Sequence, residues 1–179
     1  MLTTQNSILC VIDIQERLFP HIHSKEDFLK NTIALIKGAR ILEIPILSTE
    51  QLPDKIGKTI PEISPLLENT QPIVKAAFSC CGEVKFISAL SAHPQKQILL
   101  CGIETHVCVY QTARDLINLG YDVSVVADAV SSRTLENKEI GLERIQESGA
   151  SVTSVETALF ELLKIADGEK FKEILKLIK

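Results

Sequence analysis

Apolar and polar positions along the chain fall into two alternating rhythms. Ile8-Leu-Cys-Val-Ile12 is an unbroken apolar run of strand length. Phe28, Ile33, Leu35, Ile36, Ala39 and Leu42 then recur at helical spacing until Ile44-Pro45, where proline disfavours a continued helix. Further short runs at Pro45–Ser48, Pro72–Lys75, Gln97–Cys101, Tyr121–Val126 and Ser151–Thr153 predict five more strands. Between them, Glu83–His93, Thr105–Leu119 and Leu135–Ser148 have helical periodicity, and Val155–Ile178 predicts one or two closing helices. The segment from Gln51 to Gln71, with Pro53, Gly57, Pro61 and Pro65, is rich in turn formers.

Strands that are apolar throughout are buried on both faces, and helices between them supply the covers. The expected fold is α/β: a six-stranded, mostly parallel sheet with helices on both faces, in three layers. No repeat, low-complexity tract or linker divides the 179 residues, so one domain spanning 1–179 is expected, its core at about 8–163.

Composition adds mainly exclusions. The net charge of −4 and scattered lysines give no basic footprint, so no nucleic acid partner is expected. The C-terminal lysines 164, 170, 172, 176 and 179 interleave with Glu161, Asp167, Glu169 and Glu173, as on a solvated helix face. No run reaches the ~18 apolar residues of a membrane span. The N-terminus lacks the basic start of a signal peptide. Five cysteines, an odd number with two inside apolar strands, fit a reducing cytoplasmic compartment. Leu159, Leu162, Leu163, Ile165, Phe171, Ile174, Leu175 and Ile178 exceed what one helical layer readily buries, which predicts a homo-oligomer.

Parallel sheets bind ligands beyond the carboxyl ends of their strands. Those ends carry Asp13, Glu50 and Gln51, Lys75, the turn from Gly102 to Cys108, and Asp128. Singly, each has an ordinary reading: helix cap, solvated lysine, core cysteine. Together they suggest nucleophilic chemistry. With Thr105 as N-cap, Cys108 falls at N3, where unpaired N–H groups and the helix dipole favour a thiolate. Lys75 nearby would depress the thiol pKa further, and Asp13 could take and return its proton.

Four blocks carry a family resemblance: I-L-C-V-I-D-I-Q-E-R-L at 8–18, I-V-K-A-A-F-S at 73–79, C-G-I-E-T-H-V-C-V at 101–109 and V-V-A-D-A-V-S-S-R at 125–133. Over about Ile8–Leu163 the chain resembles the isochorismatase-like cysteine hydrolases, which include nicotinamidases and N-carbamoylsarcosine amidohydrolases. The resemblance implies a Rossmann-like fold and a catalytic Asp13, Lys75 and Cys108. It also implies a cis peptide between Ile103 and Glu104 and an oxyanion hole from the N–H groups of Glu104 and Cys108. The metal-binding D-x-H of nicotinamidases is missing, because Ser48-Thr-Glu-Gln-Leu-Pro53 stands in its place. His21, His23 and His93 look like surface residues, so no metal and no cofactor are expected. The T-E-Q-x-P segment is similar instead to the isochorismatase-domain-containing subgroup.

The expected activity is hydrolysis of a small-molecule amide, ureido or related carbonyl compound through a thioester on Cys108. Phe19, Gln51, Phe78 and His106 are the candidate pocket residues, with Cys80 and Cys81 along its wall. Two other readings stay open: vinyl-ether cleavage by Asp13 without covalent catalysis, and a non-catalytic, redox-responsive oligomer.

Overall fold

The computed structural model describes residues 1–68 and 70–179. Its centre is a six-stranded parallel sheet in the order β3-β2-β1-β4-β5-β6. The strands are β1 (Ser7–Ile12), β2 (Ile46–Gln51), β3 (Ile73–Lys75), β4 (Gln97–Ile103), β5 (Asp122–Ser131) and β6 (Ser151–Thr153). All six residues of β1 and all seven of β4 are buried, as their apolar runs require. From β1 the chain winds outward to β3, then returns to β4 and winds the other way. The reversal places a crevice at the carboxyl ends of β1 and β4.

The helices are α1 (Lys25–Ile41), α2 (Pro53–Ile56), α3 (Val84–Ser91), α4 (Tyr110–Asn118), α5 (Leu135–Glu147), α6 (Val155–Leu163) and α7 (Glu169–Ile178). Two apolar layers sandwich the sheet. Leu9, Val11 and Leu99 pack with Leu35 and Ile36 of α1, Leu159 of α6 and Ile174 of α7. Ile8, Cys10, Ile12 and Leu100 pack with Phe86 of α3, Leu116 of α4 and Ile145 of α5. Successive strand residues thus feed opposite layers. No helix among the described residues is long and apolar enough to cross a membrane.

Three expectations need correction. The sequence ends the fifth strand at Val126, but β5 continues to Ser131 through an irregularity in its pairing with β4. Asp128 therefore does not stand at a strand end. Its Oδ1 accepts the Val155 N–H at 2.9 Å, at the start of α6. The turn-rich segment also contains the single-turn α2, which proline can start. Finally, the C-terminal stripe is largely consumed inside the chain. Leu159, Leu162 and Ile174 are buried because α6 and α7 fold back into the layer around α1. The large exposed apolar side chains include Val74, Phe78 and Val84 near β3, and Leu135 and Ile140 on α5. Of that stripe, Ile165 stays 70 % exposed.

Candidate active site

Asp13 follows β1 directly and leaves the strand path with φ +50°, a conformation uncommon outside glycine and one that clusters at functional sites. Its Oδ1 accepts the Thr49 hydroxyl at 2.7 Å, from the neighbouring strand β2. The Lys75 ammonium lies 2.6 Å from Oδ2, both side chains fully buried. At that distance the pair is ionic and hydrogen-bonded at once. Lys75 Nζ also lies 3.2 Å from Gln51 Oε1, 3.1 Å from Ala77 O and 3.0 Å from Phe78 O, so four acceptors surround its three N–H groups. Oδ1 thus holds a hydroxyl, while Oδ2 is left to the Lys75 ammonium.

Cys108 comes from the other side of the crevice. Residues Thr105–Val109 form a π-helical turn that runs into α4, a wide geometry often found at functional sites. This corrects the expected cap. Glu104, with extended φ and ψ, is the N-cap, and Thr105 is already inside the turn with its hydroxyl unpaired. The Ile103–Glu104 peptide is cis. Val107 and Val109 N–H both donate to Glu104 O, at 3.1 and 3.2 Å, and the Cys108 N–H between them is not a donor to that oxygen. Cys108 Sγ lies 3.3 Å from Gln51 Oε1, so one amide oxygen joins the thiol to Lys75.

The electrostatics overturn one expectation. Cys108 is 6 % exposed, and its thiol is pushed up to about 12, by burial first and then by the Asp13 carboxylate. Lys75 pulls it down but is outweighed, because its charge is already matched by Asp13. Burial would lower the Lys75 pKa as well. Asp13, together with Cys108 and Cys80, more than offsets this and raises it, so Lys75 stays an ammonium. The resting cysteine is a neutral thiol rather than the thiolate that a helix N-terminus and a nearby cation suggest. Nor does ionisation single it out: burial raises Cys80 to about 11 and Cys81 to about 12. All five cysteines are free.

The other candidate residues divide. Gln51 joins Asp13, Lys75 and Cys108. Phe78 supplies a carbonyl to Lys75 while its ring is 53 % exposed at the rim. His106 Nδ1 lies 3.0 Å from the buried Ser132 hydroxyl, and a Cβ on Gly141 of α5 would come within 2.7 Å of His106 N. Thus α5 presses directly on the π turn. Arg133 grips Glu104 Oε1 through its own N–H and Nε at 3.1 and 3.0 Å. Phe19 goes elsewhere: its ring packs on Phe28 in the α1 layer, whereas Cys108 belongs to the α4 layer. A groove of about 750 Å³, lined by Glu50, Thr59, Leu67 and Pro72, also lies on the α1 side and not at Cys108.

Two contributors escape the sequence reading. Thr49 precedes Gln51 by two, and strand alternation puts both on one face. That signal was available. Gln15, also fully buried, donates to Gln51 O at 3.0 Å and Gly57 O at 2.6 Å and accepts Gln51 N–H at 2.8 Å. It fixes the end of β2, and nothing in local periodicity distinguishes it from a loop glutamine.

The isochorismatase domain family profile matches residues 7–157. A secreted isochorismatase effector, Isc1, of Phytophthora sojae is 42% identical to the chain, over 99% of it and 87% of the relative. A solved MAR1 ribonuclease from Caenorhabditis elegans superposes with TM-score 0.93 at 38% identity, covering 99% of this chain and 91% of the other. YcaC from Pseudomonas aeruginosa, solved with hexane-2,5-diol and covalent acrylamide, gives TM-score 0.93 at 25% identity, covering 98% and 90%. With a family match across most of its length, and that fold around the crevice, the chain belongs to the isochorismatase family of hydrolases.

Proposed function

We propose that this hydrolase cleaves a small amide, ureido or related carbonyl compound through a thioester on Cys108. One observation carries the reading: a buried thiol and a buried carboxylate are linked through one glutamine and one lysine, thiol to Gln51, Gln51 to Lys75 and Lys75 to Asp13. As Cys108 Sγ bonds to the carbonyl carbon, its proton passes to Asp13 Oδ2. The carbonyl oxygen becomes an oxyanion beside the N–H groups of Glu104 and Cys108; one such donor is typically worth ~10²–10³ in rate. Collapse breaks the C–N bond, and Asp13 gives its proton to the leaving nitrogen. Asp13 then takes a proton from the water whose oxygen attacks the thioester, and gives it to the departing sulfur, which releases the acid and restores both the thiol and the carboxylate. Lys75 moves no proton and holds Asp13 in place.

The covalent acrylamide on the YcaC relative supports a nucleophile in this fold. Vinyl-ether cleavage through Asp13 alone leaves the adjacent thiol without a role. Phosphodiester cleavage, which the ribonuclease relative's name raises, needs cations facing the phosphates. Lys75 is fully buried with its N–H groups taken.

A panel of small amides and ureas, assayed for ammonia release, tests the reading. Wild type should turn over at least one compound and show an acyl adduct on Cys108 by mass spectrometry, and Cys108→Ala should be inactive. Full turnover by Cys108→Ala would end the proposal.

The same activity is expected to survive exhaustive chelation. At the end of β2, Thr49 and Gln51 are engaged with Asp13, Lys75 and Cys108, and Glu50 Oε1 binds the Thr59 N–H and hydroxyl at 2.6 and 2.8 Å. Loss of turnover on chelation, restored by one added divalent metal, would overturn the metal-free scheme.

A further inference from the structure

Gln51 touches both halves of the crevice, through Lys75 on one side and Cys108 on the other, and its amide has little freedom. Lys75 can only donate, so the amide oxygen must face it, and Nε2 turns toward Ala76 O at 3.4 Å. Flipping the amide would set an NH₂ against an ammonium. Cys108 Sγ therefore confronts an acceptor oxygen at 3.3 Å. A thiol satisfies that oxygen, whereas a thiolate would face a second acceptor with no donor between them. Lys75 cannot compensate, because Asp13, Gln51, Ala77 and Phe78 already offer four acceptors for its three N–H groups.

Resting on the thiol-hydrolase reading, we propose that Gln51 is a positioning residue that keeps Cys108 a neutral thiol until an electrophile occupies the cleft. It does so by accepting the S–H on the same amide oxygen that accepts an N–H from Lys75. When the electrophile arrives, the S–C bond forms as the S–H bond breaks, and the proton goes to Asp13 Oδ2, the oxygen that does not hold the Thr49 hydroxyl. Gln51 keeps its bond to Lys75 throughout and never carries the proton. The site thus couples ionisation to attack and holds no standing thiolate for adventitious electrophiles.

The titratable groups facing Cys108 are Asp13 from the end of β1, Lys75 from β3 and Cys80 from the turn before α3. The Gln51 backbone is held independently by Gln15 through two hydrogen bonds, so replacing the side chain leaves the end of β2 anchored.

Iodoacetamide labelling of Cys108, followed by peptide mass spectrometry across pH in the full chain, tests this without a substrate. In Gln51→Met the thiol loses its acceptor, and Lys75, with one acceptor fewer, can turn toward sulfur. The labelling midpoint should fall by about one to two pH units, the size of a charge-assisted hydrogen bond. In Gln51→Glu a carboxylate replaces the amide, and labelling at pH 8 should drop about tenfold or more. Circular dichroism on both variants establishes that they fold. If only one folds, its direction of shift decides alone. An unmoved profile in either folded variant, or a shift opposite to that stated, overturns the role of Gln51. Unmoved profiles beside an inactive Cys108→Ala would remove only the Gln51 role. Full turnover by Cys108→Ala would instead remove the thiol mechanism.

Discussion

Asp13→Asn is expected to abolish turnover while making Cys108 easier to alkylate. The two effects have one cause. The carboxylate accepts a proton in each half-reaction, and asparagine keeps its shape without that capacity. A proton-transfer group of this kind contributes typically 10²–10⁴ in rate. The same carboxylate is one of the two largest influences holding the Cys108 thiol high. Without it, Lys75 loses its counter-charge and becomes an uncompensated cation beside the sulfur. Labelling should then shift to lower pH.

Lys75→Met should move the profile the other way, since it removes the influence that lowers the thiol and leaves Asp13 unpaired. Both groups are fully buried, so breaking the pair costs about 3–5 kcal/mol in either variant. Melting curves should accompany the labelling. Coincident profiles for wild type and both variants would mean that neither charge acts on the thiol.

Gly102→Ala should be the most damaging single-methyl change in the frame of the site. Gly102 has φ +123°, and a Cβ there would lie 2.0 Å from the Ile12 carbonyl oxygen. Ile12 and Gly102 are register partners in β1 and β4, and the residue after Ile12 is Asp13. The methyl group would push apart the two central strands whose ends carry Asp13 and the Cys108 turn. Backbone strain alone costs about 1–3 kcal/mol, and the overlap adds to it, for a loss of about 3 kcal/mol or more. Denaturant unfolding should show the midpoint fall, with turnover lost at temperatures where the sheet still gives its far-ultraviolet signal. A variant with wild-type midpoint and activity would contradict the close approach.

Much of this architecture was legible because buried parallel strands are continuously apolar, and each such run here is followed by its polar terminal residue. Asp13, Lys75 and Gln51 could be placed at one edge on that basis. Asp128 looked equivalent because it interrupts an apolar run. Only the irregular β4–β5 pairing, a relation between distant segments, shows that β5 continues past it. The π turn was hidden for a similar reason: residues 105–119 have helical periodicity, and the wide first turn goes with a tertiary contact, the approach of Gly141. Position at a helix start and proximity to a lysine favour a thiolate only where no ion pair already occupies the lysine, and here Asp13 does. Phe19 belongs with Phe28 in the α1 layer, a pairing between separate segments that local pattern does not show.

The buried ion pair has a mechanical side. β3 has only three residues and lies at the sheet edge, bonded to β2 alone. Such a strand ordinarily frays, opening in sub-global fluctuations well before the core does. Its last residue is Lys75, which reaches past β2 to Asp13 at the sheet centre and turns back to the carbonyls of Ala77 and Phe78. The lysine thus works as a bolt that carries the protection of the central strands out to the margin. The β3 amides that face β2 should exchange with solvent more like interior amides than like those of a free edge. Catalysis and edge integrity share one side chain, so the rate of hydrogen exchange there reports on the ion pair even when no substrate is present.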